Sequence, residues 1–260
     1  MYRENFHTHT YRCHHAMGDA ADYAGAAREA GLTRLGISDH TPLPDGWTPE
    51  IRMDMGELQD YLQAIRQAGE TQGILVIAGM ECDLNRRYFG FYERELLAPG
   101  RCRYLIGALH YYTHKSEEIY AGLIPGAAYL ASYAKTIVSG IESGLFAFIA
   151  HPDHFAAGWN RWDSETKACV RAIMEAAKGA GIPLEINGNG FRKSPVNFDG
   201  KTRPPYPWTP FWEMAAEYGV SCICNSDAHR PQDVTASLDR CEKLAAGLGL
   251  KKGTARLLDE

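Results

Sequence analysis

Histidines and carboxylates occur in pairs two residues apart near both ends of the chain. His7 and His9 form the first pair, and Asp227 and His229 form the second. Residues i and i+2 of a β-strand face the same side, so each pair can direct two side chains at one ion. Imidazole nitrogens and carboxylate oxygens are ligands that Zn, Fe and Mn accept. Each pair therefore predicts part of a metal site.

Four further residues of these types lie at the ends of apolar runs that are typical of buried strands: His40, Glu81, His110 and His151. Taken alone, a histidine at a strand end is more often a hydrogen-bonded polar residue than a metal ligand. A structural zinc site needs four ligands and usually includes cysteine. Together with the two pairs, these residues form a larger set of nitrogen and carboxylate groups. The set therefore predicts a multinuclear metal site.

Short strand-like runs alternate with longer helical ones seven times along the chain. The predicted strands are Tyr2–His9, Arg34–His40, Leu75–Asp83, Tyr104–Tyr112, Phe146–Asp153, Ile182–Gly188 and Ser221–His229. The predicted helices lie near 19–30, 55–71, 127–142, 163–180, 209–218 and 232–247, and the segment 84–103 holds at most a short one. This alternation predicts a parallel sheet whose carboxyl ends open onto one face. An open doubly wound sheet and a closed barrel both fit the pattern, although no glycine-rich phosphate loop follows any strand.

Composition favours a single globular domain that acts on a small molecule. The 260 residues are 45% hydrophobic and 23% charged, so we expect one domain over residues 1–260 with a substantial core. The net charge is −5, and no run of lysine and arginine is present. Nucleic-acid binders usually carry a basic stripe, so we expect a small substrate and no nucleic-acid partner.

The cysteines and the apolar segments indicate a cytoplasmic location. The seven cysteines are odd in number and do not follow a zinc-finger spacing, which favours reduced structural thiols. The first residues lack a signal-peptide pattern, and no run of about 20 apolar residues is available to span a membrane. We therefore expect a cytoplasmic protein with no membrane partner.

The candidate ligands belong to a series of short motifs that resembles the PHP (polymerase and histidinol phosphatase) family, and within it the histidinol-phosphate phosphatases. The motifs are His7-Thr8-His9-Thr10, Cys13-His14-His15-Ala16, Ser38-Asp39-His40-Thr41-Pro42, Gly79-Met80-Glu81, Gly107-Ala108-Leu109-His110, Ala150-His151-Pro152-Asp153, Glu185-Ile186-Asn187 and Asn225-Ser226-Asp227-Ala228-His229. They follow the order of the family and extend from residue 7 to residue 229. The resemblance implies a distorted (β/α)7 barrel, in agreement with the seven alternating units.

The resemblance also implies a centre of three divalent metal ions, with Zn, Fe and Mn all compatible with its ligands. The implied ligands are His7, His9, Glu81 and Asp227 for the first ion, Glu81, His110 and His151 for the second, and His15, His40 and His229 for the third. Between the adjacent His14 and His15, we favour His15 because it precedes Ala16 as in the family motif.

The implied activity is hydrolysis of a small phosphate monoester, and most specifically of L-histidinol phosphate to L-histidinol and phosphate in histidine biosynthesis. A metal-bridging hydroxide would attack phosphorus at the centre formed around Glu81 and Asp227. Arg192 resembles an arginine of the histidinol-phosphatase branch that contacts the substrate phosphate, and Arg161 is a second candidate for that contact. Asp153 is a candidate for protonating the leaving group.

Other activities remain open at this point. A PHP phosphoesterase acting on a nucleotide or sugar phosphate would use the same metals with a different pocket. An exonuclease-like PHP domain is disfavoured by the negative charge, and an amidohydrolase-type barrel by His110 where a bridging lysine is usual.

The remaining polar residues near the motifs are expected to have supporting roles. Asp39 and Asp153 are predicted to orient imidazoles, which is a common task for carboxylates beside a metal. His114 and His154 lie outside the motifs and are predicted to be surface or rim residues. The proline-rich stretch 193–210 is predicted to form a long loop over the active face.

Overall fold

The computed structural model describes residues 4–255, and most of its strands form one curled parallel sheet. The strands are β1 (Glu4–Asn5), β2 (Arg34–Ile37), β3 (Leu75–Asp83), β4 (Tyr104–Ala108), β5 (Tyr111–His114), β6 (Glu117–Tyr120), β7 (Phe148–Ala150), β8 (Leu184–Asn187), β9 (Val196–Phe198), β10 (Lys201–Arg203), β11 (Ser221–Asn225) and β12 (Lys251–Lys252). Eight of them pair in parallel in the order β1-β2-β3-β4-β7-β8-β11-β12. The pairs β5–β6 and β9–β10 are antiparallel hairpins.

Helices follow most of the parallel strands and cover the outside of the sheet. They are α1 (Ala20–Glu29), α2 (Leu58–Gln72), α3 (Phe89–Phe91), α4 (Ala127–Glu142), α5 (Ser164–Ala180), α6 (Thr209–Tyr218) and α7 (Leu238–Gly247). In α2 the buried residues Leu58, Tyr61, Leu62 and Ile65 recur every three or four positions, which gives the helix one apolar face for packing. Within residues 4–255, no helix combines the length and apolar character needed to cross a bilayer.

The sheet closes on itself at its carboxyl end. Thr8, after β1, forms a parallel bridge with Ala228, after β11. The His9 amide donates to the Ala228 carbonyl at 2.9 Å, and the Ala228 amide donates to the His7 carbonyl at 3.3 Å. At its amino end β11 pairs with β12 instead. The backbone around His7 and His9 therefore joins the first and seventh strands of the ring at the face where the candidate ligands lie.

Apolar side chains form two layers, one inside the ring and one between sheet and helices. The inner layer includes Phe6, Ile77, Tyr104, Ile106 and Phe148. Tyr104 crosses the lumen, where its hydroxyl donates to the Phe6 carbonyl at 2.7 Å. A Cβ at Gly36 or Gly79 would lie less than 3.0 Å from the Tyr104 ring or hydroxyl, so both strands need glycine at those positions. The inner layer forms the floor beneath the candidate ligands.

The barrel predicted from the sequence is confirmed, with β12 as an additional short strand. Several predicted strands are too long, because the chain leaves the sheet ladder before the ligands; β1 ends at Asn5 and β7 at Ala150. The segment 84–103, where at most a short helix was expected, contains three short helical elements in succession, Arg86–Tyr88, Phe89–Phe91 and Tyr92–Leu96. The last predicted helix begins at Leu238 rather than at 232, since Pro231–Asp233 forms a separate 3-10 turn. The predicted long loop 193–210 contains the β9–β10 hairpin.

Candidate metal centre

Glu81, near the end of β3, lies at the middle of a ring of imidazoles. Its Oε1 atom is 3.1 Å from His151 Nε2, 3.3 Å from His7 Nε2 and 3.5 Å from His110 Nε2. Its Oε2 atom is 3.0 Å from His40 Nδ1 and 3.5 Å from His9 Nε2. The two oxygens of one buried carboxylate thus face two different sets of nitrogens.

Asp227 extends this cluster next to the first histidine pair, His7 and His9. Its Oδ1 atom is 3.2 Å from His9 Nε2, 3.6 Å from His7 Nε2 and 3.5 Å from His229 Nδ1. Its Oδ2 atom accepts hydrogen bonds from the amides of Asn187 and Asn189. One carboxylate oxygen is therefore fixed by amide donors, and the other faces the histidines.

His15 and His229 meet at the outer edge of the centre through their Nε2 atoms, which are 3.0 Å apart. His15 Nδ1 donates to the Cys13 carbonyl at 2.6 Å, and His229 Nδ1 donates to the Asp227 carbonyl at 3.1 Å. A carbonyl only accepts, so each neutral ring carries its hydrogen on Nδ1 and presents a lone pair at Nε2. Desolvation lowers the pKa of His15 and lowers that of His229 to about 4, so both rings are neutral at neutral pH. Two facing lone pairs repel unless a cation lies between them, and Zn–N distances of about 2.0–2.1 Å would let one ion bind both.

Buried partners fix the orientation of the inner imidazoles. Glu185, in β8, accepts from His7 Nδ1 at 2.8 Å through Oε1 and from the His151 amide at 3.1 Å through Oε2. Asp83 accepts from His110 Nδ1 at 3.0 Å. Such hydrogen bonds from the second ring nitrogen direct the first nitrogen towards a metal.

The charged groups of the cluster strongly perturb one another. Burial alone would raise the pKa of Glu81, but His7, His40 and His110 hold it well below its usual range. Burial would lower the pKa of His110, but Glu81 and Asp83 raise it to about 10. For His7 likewise, Glu185, Asp227 and Glu81 outweigh burial and raise the pKa well above its ordinary value. These imidazoles therefore hold protons between carboxylates, in positions where a divalent cation would satisfy the same negative charges.

Several buried polar atoms of the cluster have no hydrogen-bond partner. They include Nε2 of His7, both ring nitrogens of His9, Nδ1 of His40, Nδ1 of His151 and Oδ1 of Asp227. Buried polar groups are normally satisfied, so a concentration of unsatisfied ones indicates a ligand that binds them. Three sets of nitrogen and carboxylate donors converge closely enough to hold an ion: His7, His9 and Glu81; His40, Glu81 and His110; and His15, His40 and His229. The residues therefore fit a multinuclear metal centre.

Two of the candidate ligands, His151 and Asp227, have an unusual backbone conformation. His151 has φ +31° and Asp227 has φ +49°, a region that residues other than glycine rarely adopt. The Arg192 guanidinium donates to the carbonyls of Ser226 at 2.9 Å, Asp227 at 3.1 Å and Ala236 at 3.0 Å. It therefore supports the loop that carries Asp227, and its donors are directed at that backbone.

A cavity of about 520 Å³ opens above the cluster. Besides candidate ligands, its lining residues are Met17, Ile51, Tyr111, Tyr120, His154, Asn189, Lys193, Tyr206 and Arg230. Arg192 and Arg161, the two arginines predicted to bind phosphate, are not among them. The Arg161 guanidinium lies over the Trp159 ring at 5.3 Å on the exposed surface. Lys193 and Arg230 are the cationic side chains that line the cavity.

Asp153 is buried and is not among the residues that line the cavity. Its Oδ2 atom accepts from the Trp208 amide at 2.6 Å and from Trp212 Nε1 at 2.9 Å. Burial raises its pKa to about 6. Its role as a proton donor stays a prediction that this geometry does not favour; it ties the start of α6 to the end of β7. Asp39 similarly accepts from the Thr10 amide and hydroxyl, and its nearest approach to His9 is 3.9 Å.

The three histidines that are not candidate ligands, His14, His114 and His154, lie in different surroundings. His14 Nδ1 lies 3.1 Å from the Pro49 carbonyl, outside the cluster that contains His15. His114 is half-buried and stacks on Tyr129. The expectation that His154 lies at the surface or rim is wrong: it is buried in the cavity wall, 3.1 Å from the Tyr120 hydroxyl. The β5–β6 hairpin, which brings Tyr120 over it, gave no clear signal in the sequence.

Glu185, Asn187, Lys193 and Arg230 were not predicted as site residues. Glu185 and Asn187 alternate within β8, all of whose residues are buried. Polar residues two apart in such a strand must find buried partners, which is a usable signal. Lys193 and Arg230 lie in loops, where the sequence pattern does not determine direction.

With the site defined, comparison with known proteins identifies the family: residues 5–189 match the PHP domain model, and the chain belongs to that family. Asp227 and His229 lie beyond the matched range but within the same cluster of side chains.

Named relatives and solved structures agree with this assignment. A Deinococcus radiodurans protein named "Probable histidinol-phosphatase" is 32% identical over 238 residues, which is 88% of this chain and 86% of that protein. A Shewanella sp. (strain ANA-3) "Probable phosphatase" is 22% identical over 88% of this chain and 77% of that protein. Among solved structures, HisK from Listeria monocytogenes has a TM-score of 0.75 at 19% identity, covering 92% of this chain and 99% of that one. Histidinol phosphate phosphatase from Lactococcus lactis, complexed with Zn, L-histidinol and phosphate, has a TM-score of 0.72 at 14% identity over 98% and 97% of the chains.

Proposed function

We propose that this protein is a metal-dependent phosphomonoester hydrolase that converts L-histidinol phosphate to L-histidinol and phosphate. The observation that carries the proposal is the convergence of buried, unsatisfied imidazoles on Glu81 and Asp227 at the mouth of the barrel. The Deinococcus relative's name and the ligands of the Lactococcus enzyme support the choice of substrate.

The proposed centre holds three divalent ions. His7, His9, Glu81 and Asp227 would hold the first, Glu81, His110 and His151 the second, and His15, His40 and His229 the third. When bound, the ions would neutralise phosphate oxygens and lower the pKa of the attacking water towards neutrality. The zinc in the Lactococcus structure makes zinc a leading candidate, and nitrogen and carboxylate ligands also suit Fe and Mn.

Residues that line the cavity or lie beside it divide the remaining tasks. Lys193 and Arg230 supply positive charge for the phosphate, and neither has an ion-pair partner among the described residues. Arg192 acts as a positioning residue for Asp227 through its three backbone contacts. This arrangement replaces the phosphate contacts first assigned to Arg192 and Arg161.

The aromatic side of the cavity suits a cationic head group. Tyr111, Tyr120 and Tyr206 line it, and aromatic faces attract ammonium groups by about 0.5–2 kcal/mol. Burial, followed by the carboxylates of Glu50 and Asp83, raises the pKa of the Tyr111 hydroxyl, so acidic groups lie near this side of the cavity. A substrate with a phosphate at one end and an ammonium at the other matches both sides.

A panel of phosphate esters tests the substrate. We expect kcat/KM above about 10⁴ M⁻¹s⁻¹ for phosphate release from L-histidinol phosphate. We expect much lower values for p-nitrophenyl phosphate and a nucleoside monophosphate, which lack the ammonium group. Comparable weak rates on all three would retain the metal-dependent phosphatase and reject this substrate, leaving another small phosphate ester as the alternative.

An exonuclease-like activity is the remaining alternative. Phosphate-backbone binding depends strongly on salt, so activity on single-stranded DNA that 0.5 M salt abolishes would favour it.

A further inference from the structure

Cys13 lies against the outer edge of the metal centre. Its sulfur and one ring nitrogen each of His9 and His229 lie within 4.8 Å of one another, a set of three metal-ligand types. The side chain is fully buried. Of the seven cysteines, all within the described residues, Cys13 alone takes part in such a group.

An independent observation at the same place points to a ligand. The His9 side chain is 1% exposed, and both of its ring nitrogens lack a hydrogen-bond partner. Its ring stacks on that of His229 with the centroids 4.4 Å apart, so the two imidazoles lie side by side next to the sulfur. The first ion would bind one of these nitrogens and leave the other buried without a partner, which is costly unless a further group beside it supplies one.

The local fold brings backbone donors close to the Cys13 sulfur. A short 3-10 turn, Tyr11–Cys13, ends at His14, whose left-handed conformation (φ +64°) reverses the chain. Burial and the Asp39 carboxylate raise the pKa of the Cys13 thiol to about 12, and the nearby backbone N–H groups of His15 and Ala16 oppose this rise. Backbone donors directed at sulfur stabilise the negative charge of a metal-bound thiolate, in the same way that hydrogen bonds support other ligands.

We propose that Cys13 supplies a thiolate ligand to the third divalent ion, the one that His229 binds, on the side where His9 lies. The inference rests on the metal centre proposed above and adds a soft donor to it. On binding, the S–H bond breaks, a sulfur–metal bond forms, and the proton leaves to solvent. Thiolate prefers Zn and Fe to Mn, so Cys13 biases the occupant of this position away from Mn.

Cobalt spectroscopy on the full-length protein tests the proposal. Co²⁺ bound to the centre absorbs in the visible through d–d transitions, and a thiolate ligand adds a sulfur-to-cobalt charge-transfer band in the near ultraviolet. We expect both features in the wild-type protein. Cys13→Ser should keep the d–d absorption and lose the charge-transfer band. Cys169→Ser, a buried cysteine outside the centre, should keep both.

The outcomes separate this inference from the proposed function. Wild-type d–d absorption without a charge-transfer band would overturn the cysteine ligand and leave the metal centre standing, whether or not Cys13→Ser folds. A charge-transfer band that persists in Cys13→Ser would overturn it also. Absence of any bound Co²⁺ would overturn both. As a second readout, Cys13→Ser should weaken Zn²⁺ binding by about 10-fold or more and Mn²⁺ binding by less.

Discussion

The lower and upper halves of the barrel lumen use inward positions of the same strands but hold opposite kinds of side chain. On β3, Ile77 belongs to the apolar floor and Glu81, four residues on, lies at the centre of the histidines. Ile106, on β4, likewise belongs to the apolar floor, and His110, four residues on and just beyond the strand, lies beside Glu81. In the floor, the Tyr104 hydroxyl has a carbonyl partner, whereas many polar atoms above it have none.

This contrast separates the part that holds the barrel together from the part that performs the chemistry. Apolar burial in the floor stabilises the fold without any ligand. The upper half contains mutually dependent charges and unsatisfied nitrogens, which reduce stability until a cation binds them. Substitutions in the two halves should therefore change different measured quantities.

The largest effect is expected at the carboxylate that faces both sets of histidines. Glu81→Gln removes the negative charge between the imidazoles, so we expect kcat/KM to fall by more than about 100-fold, beyond the loss typical of outer partners. Metal content per chain should fall in parallel, as measured by elemental analysis. Full activity with normal metal content would contradict the central position of Glu81.

A smaller effect, a loss of metal affinity, is expected on replacing Glu185, which contacts two of the candidate ligands. Glu185→Gln keeps the volume but weakens the contact with His7 Nδ1, so metal affinity should fall by about 10–100-fold. Competition with a chelator measures this affinity. An unchanged affinity would mean that His7 is oriented without Glu185.

The cationic residues that line the cavity can be compared directly with the arginines first predicted to bind phosphate. Lys193→Ala should raise KM by about 10-fold or more, because a hydrogen bond to a charged group contributes about 1.5–3 kcal/mol. Arg161→Ala, on the exposed surface, is the matched control and should leave KM within about two-fold. The reverse ranking would restore the phosphate role first predicted for Arg161.

A substitution in the apolar floor should change the stability of the fold but not its metal content or activity. Ile106→Val removes one buried methyl group from the inner layer, so we expect a loss of about 0.5–1.5 kcal/mol in the free energy of unfolding. Denaturant unfolding measures this loss, while metal content and kcat/KM should not change. A large fall in metal content would mean that floor and centre are not independent.

The barrel could be predicted from the sequence, because the alternating elements indicate parallel strands and the motif series resembles a family with a closed barrel. The ligand assignment stays a prediction, although the structure brings most of those side chains into one cluster. Alternating apolar runs and helices predict parallel strands, and polar residues at the ends of those strands lie on the face where the carboxyl ends open. The partners of those residues required the three-dimensional fold. Glu185 meets His7 across 178 positions of sequence, and no local pattern specifies that contact.

Loop side chains were the least predictable part. Arg192 and Lys193 are neighbours, yet the first donates to backbone carbonyls and the second lines the cavity. Which of two adjacent cations turns inward depends on the φ and ψ angles of the loop and on carbonyls supplied by the segment that follows β11. His154 became buried for a similar reason, since the β5–β6 hairpin covers it.

The most direct test of the central claim is to measure bound metal and phosphate release on the same preparation. After supplementation with Zn, Mn and Fe, we predict about three divalent ions per chain. Chelation should abolish phosphate release from L-histidinol phosphate, and returning the ions should restore it. A protein that binds no metal after supplementation, or one that hydrolyses the substrate equally well after complete metal removal, would contradict the account.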